Sequence, residues 1–180
     1  MERRTLLLGL AAAPFAALAA PSRAMKEIEA LQKNWQAFLP AAASVPLPGE
    51  RLKLSKDEWR KRLPPDAFRV LREEGTERAG TSPLDAEKRP GVFVCAGCGL
   101  ALFTSGMKYE SGTGWPSFFT TIPGVFETKK DYFLLYPRTE YHCVRCGGHQ
   151  GHLFDDGPPP TGQRWCNNGV ALRFLPQQSG

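Results

Sequence analysis

Val92-Phe-Val-Cys-Ala-Gly-Cys-Gly-Leu-Ala-Leu-Phe103 decides how this chain folds. Two β-branched and aromatic runs, Val92–Val94 and Leu100–Phe103, flank the knuckle Cys95-Ala-Gly-Cys98-Gly99, so the segment reads as strand, tight turn, strand. The knuckle returns as Cys143-Val-Arg-Cys146-Gly147, directly after Tyr141-His142. Each Cys-x-x-Cys-Gly bends the backbone until two sulfurs converge, with Gly99 or Gly147 free to take the positive φ such a turn requires. Two knuckles complete a tetrahedron, and Cys95, Cys98, Cys143 and Cys146 are expected to hold one structural Zn2+. Four thiolates leave no open position for a water, which excludes a zinc hydrolase. The competing reading is a redox disulfide at either pair, favoured by an oxidising compartment. Two matched pairs, both followed by Gly, are hard to explain as independent redox sites.

Outward from the knuckles, further short apolar runs occur at Phe118–Ile122, Phe133–Tyr136, Tyr141–Cys143 and Val170–Phe174, punctuated by Gly and Pro. Short strands with short connections favour antiparallel pairing. The expected fold is mainly β, an all-β core of short antiparallel strands stapled by zinc, with short N-terminal helices. Ile28, Leu31, Trp35, Phe38 and Leu39 recur at helical spacing within Met25–Leu39, which predicts a docked amphipathic helix. The Ala- and Pro-rich stretch 40–49 reads as a linker. Ser55-Lys-Asp-Glu58 is a capping box ahead of a short helix ended by Pro64-Pro65, and a second helix is expected over Asp66–Glu74 with Phe68 and Leu71 inward.

The 180 residues suit one domain with appendages, and five cysteines are too few for a disulfide scaffold. The first 24 residues carry Arg3, Arg4 and Arg23 against Glu2, leaving 20 Lys+Arg and 17 Asp+Glu in the rest, too small an excess to argue for nucleic acid. Residues 1–24 combine a basic start, an apolar Ala- and Leu-rich stretch broken by Pro14, and Ser22-Arg-Ala24, which together read as a cleavable signal peptide. Arg3-Arg4 resembles a twin-arginine export signal, a route that would carry the chain already folded with zinc protecting four thiols. A periplasmic or secreted location follows, with no stable membrane anchor after cleavage. The organisation is therefore a signal at 1–24, helix and linker at 25–54, the main domain at 55–176 and a tail at 177–180.

One cysteine remains. Cys166, in Thr161-Gly-Gln-Arg-Trp-Cys-Asn-Asn168, has no partner among the knuckles. A lone cysteine can be simple packing. Arg164, Asn167, Asn168 and the upstream His149-Gln-Gly-His152 can instead surround its sulfur if these segments pack together, and such groups are expected to depress a thiol pKa.

Four motifs, in order, carry a resemblance: Lys108-Tyr-Glu-Ser-Gly-Thr-Gly-Trp-Pro-Ser-Phe118, His149-Gln-Gly-His-Leu-Phe-Asp-Asp-Gly157, Pro160-Thr-Gly-Gln-Arg-Trp-Cys-Asn-Asn168 and the paired knuckles. Together they resemble the B-type methionine sulfoxide reductases over about residues 55 to 176. The resemblance implies a β-tent, two small antiparallel sheets around the zinc-stapled core, and reduction of methionine-(R)-sulfoxide in oxidised peptides and proteins, in repair of oxidative damage. It implies that Cys166 attacks the sulfoxide sulfur, that His149, His152, Asn168 and Trp115 surround the substrate, and that Arg164 and Asp156 pair in support of Cys166. Phe118, from the Trp115 motif, is grouped with these binding and supporting residues. Reducing a sulfoxide needs a thiolate for its sulfur and an acid for its oxygen; either histidine can supply the proton, directly or through water. A packed pair or a second metal site is the other reading of His149 and His152, and a core residue the other reading of Trp115. Thr113 stands where many relatives carry a second, resolving cysteine, and Gly169 where Ser is frequent. A sulfenic acid on Cys166 would then need an external thiol, from a thioredoxin-like partner or a small molecule. The alternative function is a zinc-ribbon module binding protein or RNA, which would require an exposed basic or aromatic surface and no reactive thiol.

Overall fold

A computed structural model of the chain describes residues 22–49, 51–131 and 137–177. Residues 1–21 of the expected signal and the expected strand at Phe133–Tyr136 lie outside the described residues. The knuckle segment behaves as its sequence dictates. Strand β1 (Gly91–Cys95) is buried along its whole length, sits between β2 (Ala101–Thr104) and β9 (Leu172–Pro176), and pairs antiparallel with both. A second sheet runs in the order β3 (Lys108–Tyr109), β4 (Ser117–Phe118), β8 (Arg164–Asn167), β7 (His149–Phe154), β6 (Arg138–Cys143) and β5 (Phe126–Asp131). All its pairings are antiparallel. The chain is thus mainly β with two antiparallel sheets.

The faces of the two sheets meet through aromatic rings. Phe118 stacks on Phe103 with centroids 3.8 Å apart, and Phe93 meets Phe118 edge-on at 5.1 Å. All three are fully buried, and each burial stabilises the fold by about 2–3 kcal/mol. The run Phe118–Ile122 leaves the sheet after Phe118, so the expected strand there is only two residues long. Strand β5 went unread in the sequence because Phe126-Glu-Thr-Lys-Lys-Asp131 lacks an apolar alternation; it is an exposed edge whose charges discourage pairing with another chain.

The N-terminal segments pack onto this frame. Helix α1 (Arg23–Lys33) stops at Asn34 and continues as a 3-10 turn over Trp35–Phe38, so the helix expected over Met25–Leu39 is divided. Leu31, Trp35, Phe38 and Val45 rest against the core, and the Gln32 amide donates to Thr120 at 2.7 Å. Ser55 and Glu58 form the reciprocal cap of α2 (Lys56–Arg62), and Pro65 opens α3 (Pro65–Glu73), which buries Phe68 and Leu71.

The knuckles join the sheets. The first turns β1 into β2 and the second turns β6 into β7, so their sulfurs belong to different sheets. Both use the same backbone closure: Gly99 N–H donates to Cys95 O at 2.8 Å and Gly147 N–H to Cys143 O at 2.7 Å, with φ of 76° and 67° at the glycines. The sulfurs of Cys95 and Cys146 approach to 3.6 Å, as do those of Cys98 and Cys143. A tetrahedral zinc with Zn–S near 2.3 Å places its sulfurs roughly 3.8 Å apart, so the donor set fits the ion. Neighbouring sulfurs and burial push Cys95 and Cys143 up, while hydrogen bonding from those thiols pulls Cys98 and Cys146 down. Thiolates packed this closely would repel one another, and a divalent cation removes that repulsion. Donors stand ready for the resulting charge: the Gln150 amide lies 3.3 Å from Cys95 Sγ and Arg72 3.5 Å from Cys146 Sγ. This is a structural zinc site.

Removing one ligand, as in Cys95→Ser, is expected to release the ion and loosen one sheet from the other. A loss of ~3 kcal/mol would lower Tm by roughly 6–12 °C in a chain of this size. Metal analysis and calorimetry together check it; unchanged metal content and Tm would remove the staple from the account.

Candidate active site

Strand β8 places Cys166 in the middle of the large sheet. Its cross-strand neighbours are Ser117 on β4 and His152 on β7. Neither β7 nor β8 stands out as a strand in the sequence, because His149-Gln-Gly-His152 and Arg164-Trp-Cys-Asn167 mix polar and apolar residues without alternation. They pair closely because Gly151 has no side chain: a Cβ there would lie 1.9 Å from the Cys166 carbonyl oxygen. The β6–β7 register shifts by one residue between Tyr141 and His142, so His142 opposes His149 and Gln150 is extra. That bulge lets His149 and His152 approach, with ring centroids 5.4 Å apart, while Gln150 turns to the zinc ligand Cys95.

Cys166, His152, Trp115, Phe154, Asn168 and Arg138 line one cavity of about 100 Å³. Its walls are of two kinds. Trp115 and Phe154 offer aromatic surface; His152 and Arg138 offer polar atoms. Trp115 is held by its indole N–H, which donates to Glu77 O at 3.2 Å. Asn168 commits one amide N–H to Gln150 O at 2.9 Å and accepts at Oδ1 from Glu77 N–H at 2.9 Å, which leaves its second N–H uncommitted by these bonds. It shapes the wall by holding two segments together.

Arg164 and Asp156 form the expected pair, a two-pronged contact at 2.7 and 2.8 Å, with the guanidinium 4.2 Å from the centre of the Phe154 ring. The expected depression of the Cys166 thiol is overturned. Burial raises it, outweighing Arg164 and a hydrogen bond from Thr113, which both lower it. Burial penalises the thiolate wherever the sulfur is withdrawn from water, and one partly committed guanidinium does not compensate.

The two histidines have different places. His152 lines the cavity and sets Nε2 3.1 Å from Asp131 Oδ2, which Arg138 also holds at 2.6 Å. Burial and Arg138 lower its pKa despite Asp131. His149 lies behind, 1% exposed, outside the residues that line this cavity. Its Nδ1 comes within 3.2 Å of Glu140, the separation of an ion pair, yet burial and the neighbouring His142 and His152 depress it to about 3. We therefore take His149 as neutral, and the contact is no salt bridge. Phe118 sits in the core behind β8 and touches the site only by supporting that strand.

Glu77, Asp131, Arg138 and His142 were missed in the sequence. Glu77 is buried far upstream; its carboxylate accepts from Gly169 and Val170 N–H at 2.5 and 2.9 Å while its backbone holds Trp115 and Asn168. A lone acid in an irregular segment carries no periodic signal. His142 could have been found, since Glu140-x-His142 on a strand puts both side chains on one face.

The family described as the SelR domain matches residues 63–176. The chain is 49% identical over 121 residues, 67% of its own length and 92% of the relative's, to a peptide methionine sulfoxide reductase MsrB of Leptospira interrogans. It is 47% identical over 127 residues, 70% and 89% of the two lengths, to one from Methanosarcina barkeri. A chloroplastic peptide methionine sulfoxide reductase B1 of Arabidopsis thaliana is 46% identical over 126 residues, 69% of this chain and 62% of that one.

Two outcomes follow from the electrostatics. Arg164→Met leaves burial in place but removes the cation, so the pH midpoint of Cys166 alkylation should move upward, with on the order of tenfold slower labelling near neutrality; an unmoved midpoint would dismiss Arg164 as its stabiliser. His149, neutral when folded, takes up a proton on unfolding below about 6.5. Its contribution to stability is present above that pH and lost as pH falls toward about 3. His149→Gln should flatten the acid limb of the stability curve at constant zinc, and a variant with the same limb would show that His149 titrates normally.

Proposed function

The chain belongs to the methionine-(R)-sulfoxide reductase B family and reduces methionine-(R)-sulfoxide in peptides and proteins, and on that premise we propose that Cys166 attacks the sulfoxide sulfur. One observation carries the assignment: Cys166 is the sulfur outside the zinc set, and it opens into a cavity with one aromatic and one polar wall. The cavity has room for the methylsulfinyl end of a side chain and not for the peptide. Its methyl group would lie against Trp115 and Phe154, and its oxygen toward His152. With sulfur, methyl and oxygen each given a direction, only one hand of the sulfoxide presents its sulfur to Cys166.

The proton balance suits a thiol kept protonated at rest. Cys166–SH and R–S(=O)–CH3 become Cys166–SOH and R–S–CH3: oxygen moves between sulfurs, the substrate sulfur is reduced, and the thiol proton ends on the new hydroxyl. No net proton is drawn from solvent. Neutral His152, oriented by Asp131, is placed to accept the thiol proton as attack begins and deliver it to the departing oxygen. Arg164 favours the thiolate that forms in passing. His149 supports His152 from behind, Asn168 fixes the wall, and Glu77 positions Trp115 and Asn168.

Thr113 hydrogen-bonds Cys166, so the position that would hold a resolving thiol is adjacent to the reacting sulfur but carries a hydroxyl. The sulfenic acid is therefore reduced by an external thiol, from a thioredoxin-like protein or a small molecule: one thiol displaces water to give a mixed disulfide, and a second releases Cys166. The reading of residues 1–24 as an export signal, with Arg3-Arg4 favouring a twin-arginine route, supports a periplasmic or secreted site of action, with cleavage after Ala24 and a main domain at 55–176. No helix among the described residues is long and apolar enough to cross a membrane.

Cys166→Ser is expected to keep its zinc and lose all sulfoxide reduction. Oxidised by substrate without reductant, the native chain should gain one oxygen, trappable as a sulfenic acid, whereas Thr113→Cys should lose two hydrogens as a disulfide forms with Cys166. If the native chain itself lost two hydrogens and ejected zinc, a knuckle cysteine would be the resolver.

A further inference from the structure

Glu140, His142 and His149 make a second donor cluster, and we propose that it binds one divalent transition-metal ion of the zinc class, apart from the four-thiolate site. One carboxylate oxygen and one nitrogen from each ring lie within 4.8 Å of one another. His149 Nδ1 is 3.2 Å from Glu140 Oε2 and His142 Nε2 is 3.5 Å from Glu140 Oε1. A tetrahedral ion with bonds near 2.0–2.1 Å sets its donors roughly 3.3–3.5 Å apart. Each histidine nitrogen is near that distance from one oxygen of the Glu140 carboxylate, and the three donors converge within 4.8 Å.

Two further observations point to a ligand. His142 Nε2 and both ring nitrogens of His149 are buried without a hydrogen-bond partner, a cost that buried polar atoms rarely bear. His142 also directs Nδ1 at Gly147 O, 3.3 Å away. A proton on Nδ1 donated to that carbonyl leaves the Nε2 lone pair facing Glu140, which is how metal-binding imidazoles are commonly oriented. The donors stand on paired strands, since His142 and His149 are register partners on β6 and β7. Two imidazoles and a carboxylate favour Zn2+, Co2+, Ni2+ or Cu2+ over Mg2+ or Ca2+.

Lys129 is the obstacle and the gate. Its ammonium lies 2.8 Å from Glu140 and 2.7 Å from Glu74, and its side chain is half exposed. It can keep Glu74 and release Glu140 to the ion. Glu74 also lines both neighbouring cavities, of about 390 and 520 Å³, that reach His142 and Glu140 respectively, giving an acidic path inward. Occupancy would fix the His149 ring behind His152 and slow proton transfer. That consequence rests on the reaction proposed above; the number of ions bound does not.

The test starts from the zinc-loaded chain. Co2+ is added, bound metal is counted after dialysis, and the absorption of bound cobalt is recorded. The proposal expects one Co2+ beyond the retained zinc, with a nitrogen and oxygen spectrum that lacks thiolate-to-cobalt charge transfer. His142→Leu should keep its zinc, which certifies its fold, and lose the cobalt. Lys129→Met should bind cobalt on the order of tenfold more tightly, since a nearby like charge is gone. A chain that takes up no second ion overturns the proposal, as does cobalt retained in His142→Leu, cobalt with a thiolate spectrum, or an unchanged affinity in Lys129→Met.

Discussion

The convergence of Cys95, Cys98, Cys143 and Cys146 ties hairpins from two sheets that share no strand, and the placement of the groups proposed to react descends from it. The second knuckle launches β7, whose bulge sends Gln150 toward Cys95 and His149 and His152 to the other side. Gln150 then accepts from the Asn168 backbone N–H at 2.8 Å and side-chain Nδ2 at 2.9 Å. Zinc chemistry and sulfoxide chemistry are separate, but one residue touches both. In the proposed reaction the metal's part is structural: it steadies the β6–β7 hairpin whose β7 strand opposes His152 to Cys166.

Burial has opposite values at the two sulfur centres. Around zinc it is offset by the cation, so withdrawn thiolates are stable and unreactive. At Cys166 no such cluster of ligands gathers a cation among the described residues, the thiol is held up, and in the proposed reaction its ionisation waits for substrate. Arg164, steadied by Asp156 and the Phe154 ring, limits how far the thiol rises. A resting thiol is also less open to stray oxidation than a resting thiolate, because the thiolate is the reactive form. In the proposed reaction, His152 oriented by Asp131 supplies the base that the buried thiol needs once substrate is in place.

Much of this was legible because the informative residues are chemically extreme. Two Cys-x-x-Cys-Gly knuckles leave one thiol over, the capping box at Ser55 starts α2, and the flanking apolar runs become β1 and β2. What escaped the sequence is set by long-range contact. The fate of Cys166's pKa depends on burial, which no neighbour in sequence reports. Phe118 reads as a residue of the site motif but is consumed by the stack with Phe103. Strands β7 and β8 are polar because they carry the site, so the hydrophobic alternation that marks a strand is absent where function is densest. Glu77 joins Trp115 to Asn168 from a loop with no pattern of its own.

The central claim is that one thiol in a cavity with directed walls transfers oxygen from one hand of a sulfoxide. Turnover of separated R and S epimers of a methionine sulfoxide peptide, each with a dithiol donor, tests it most directly. The account predicts methionine from the R epimer and none above background from the S epimer. Equal turnover of both, or turnover of the S epimer alone, would contradict it.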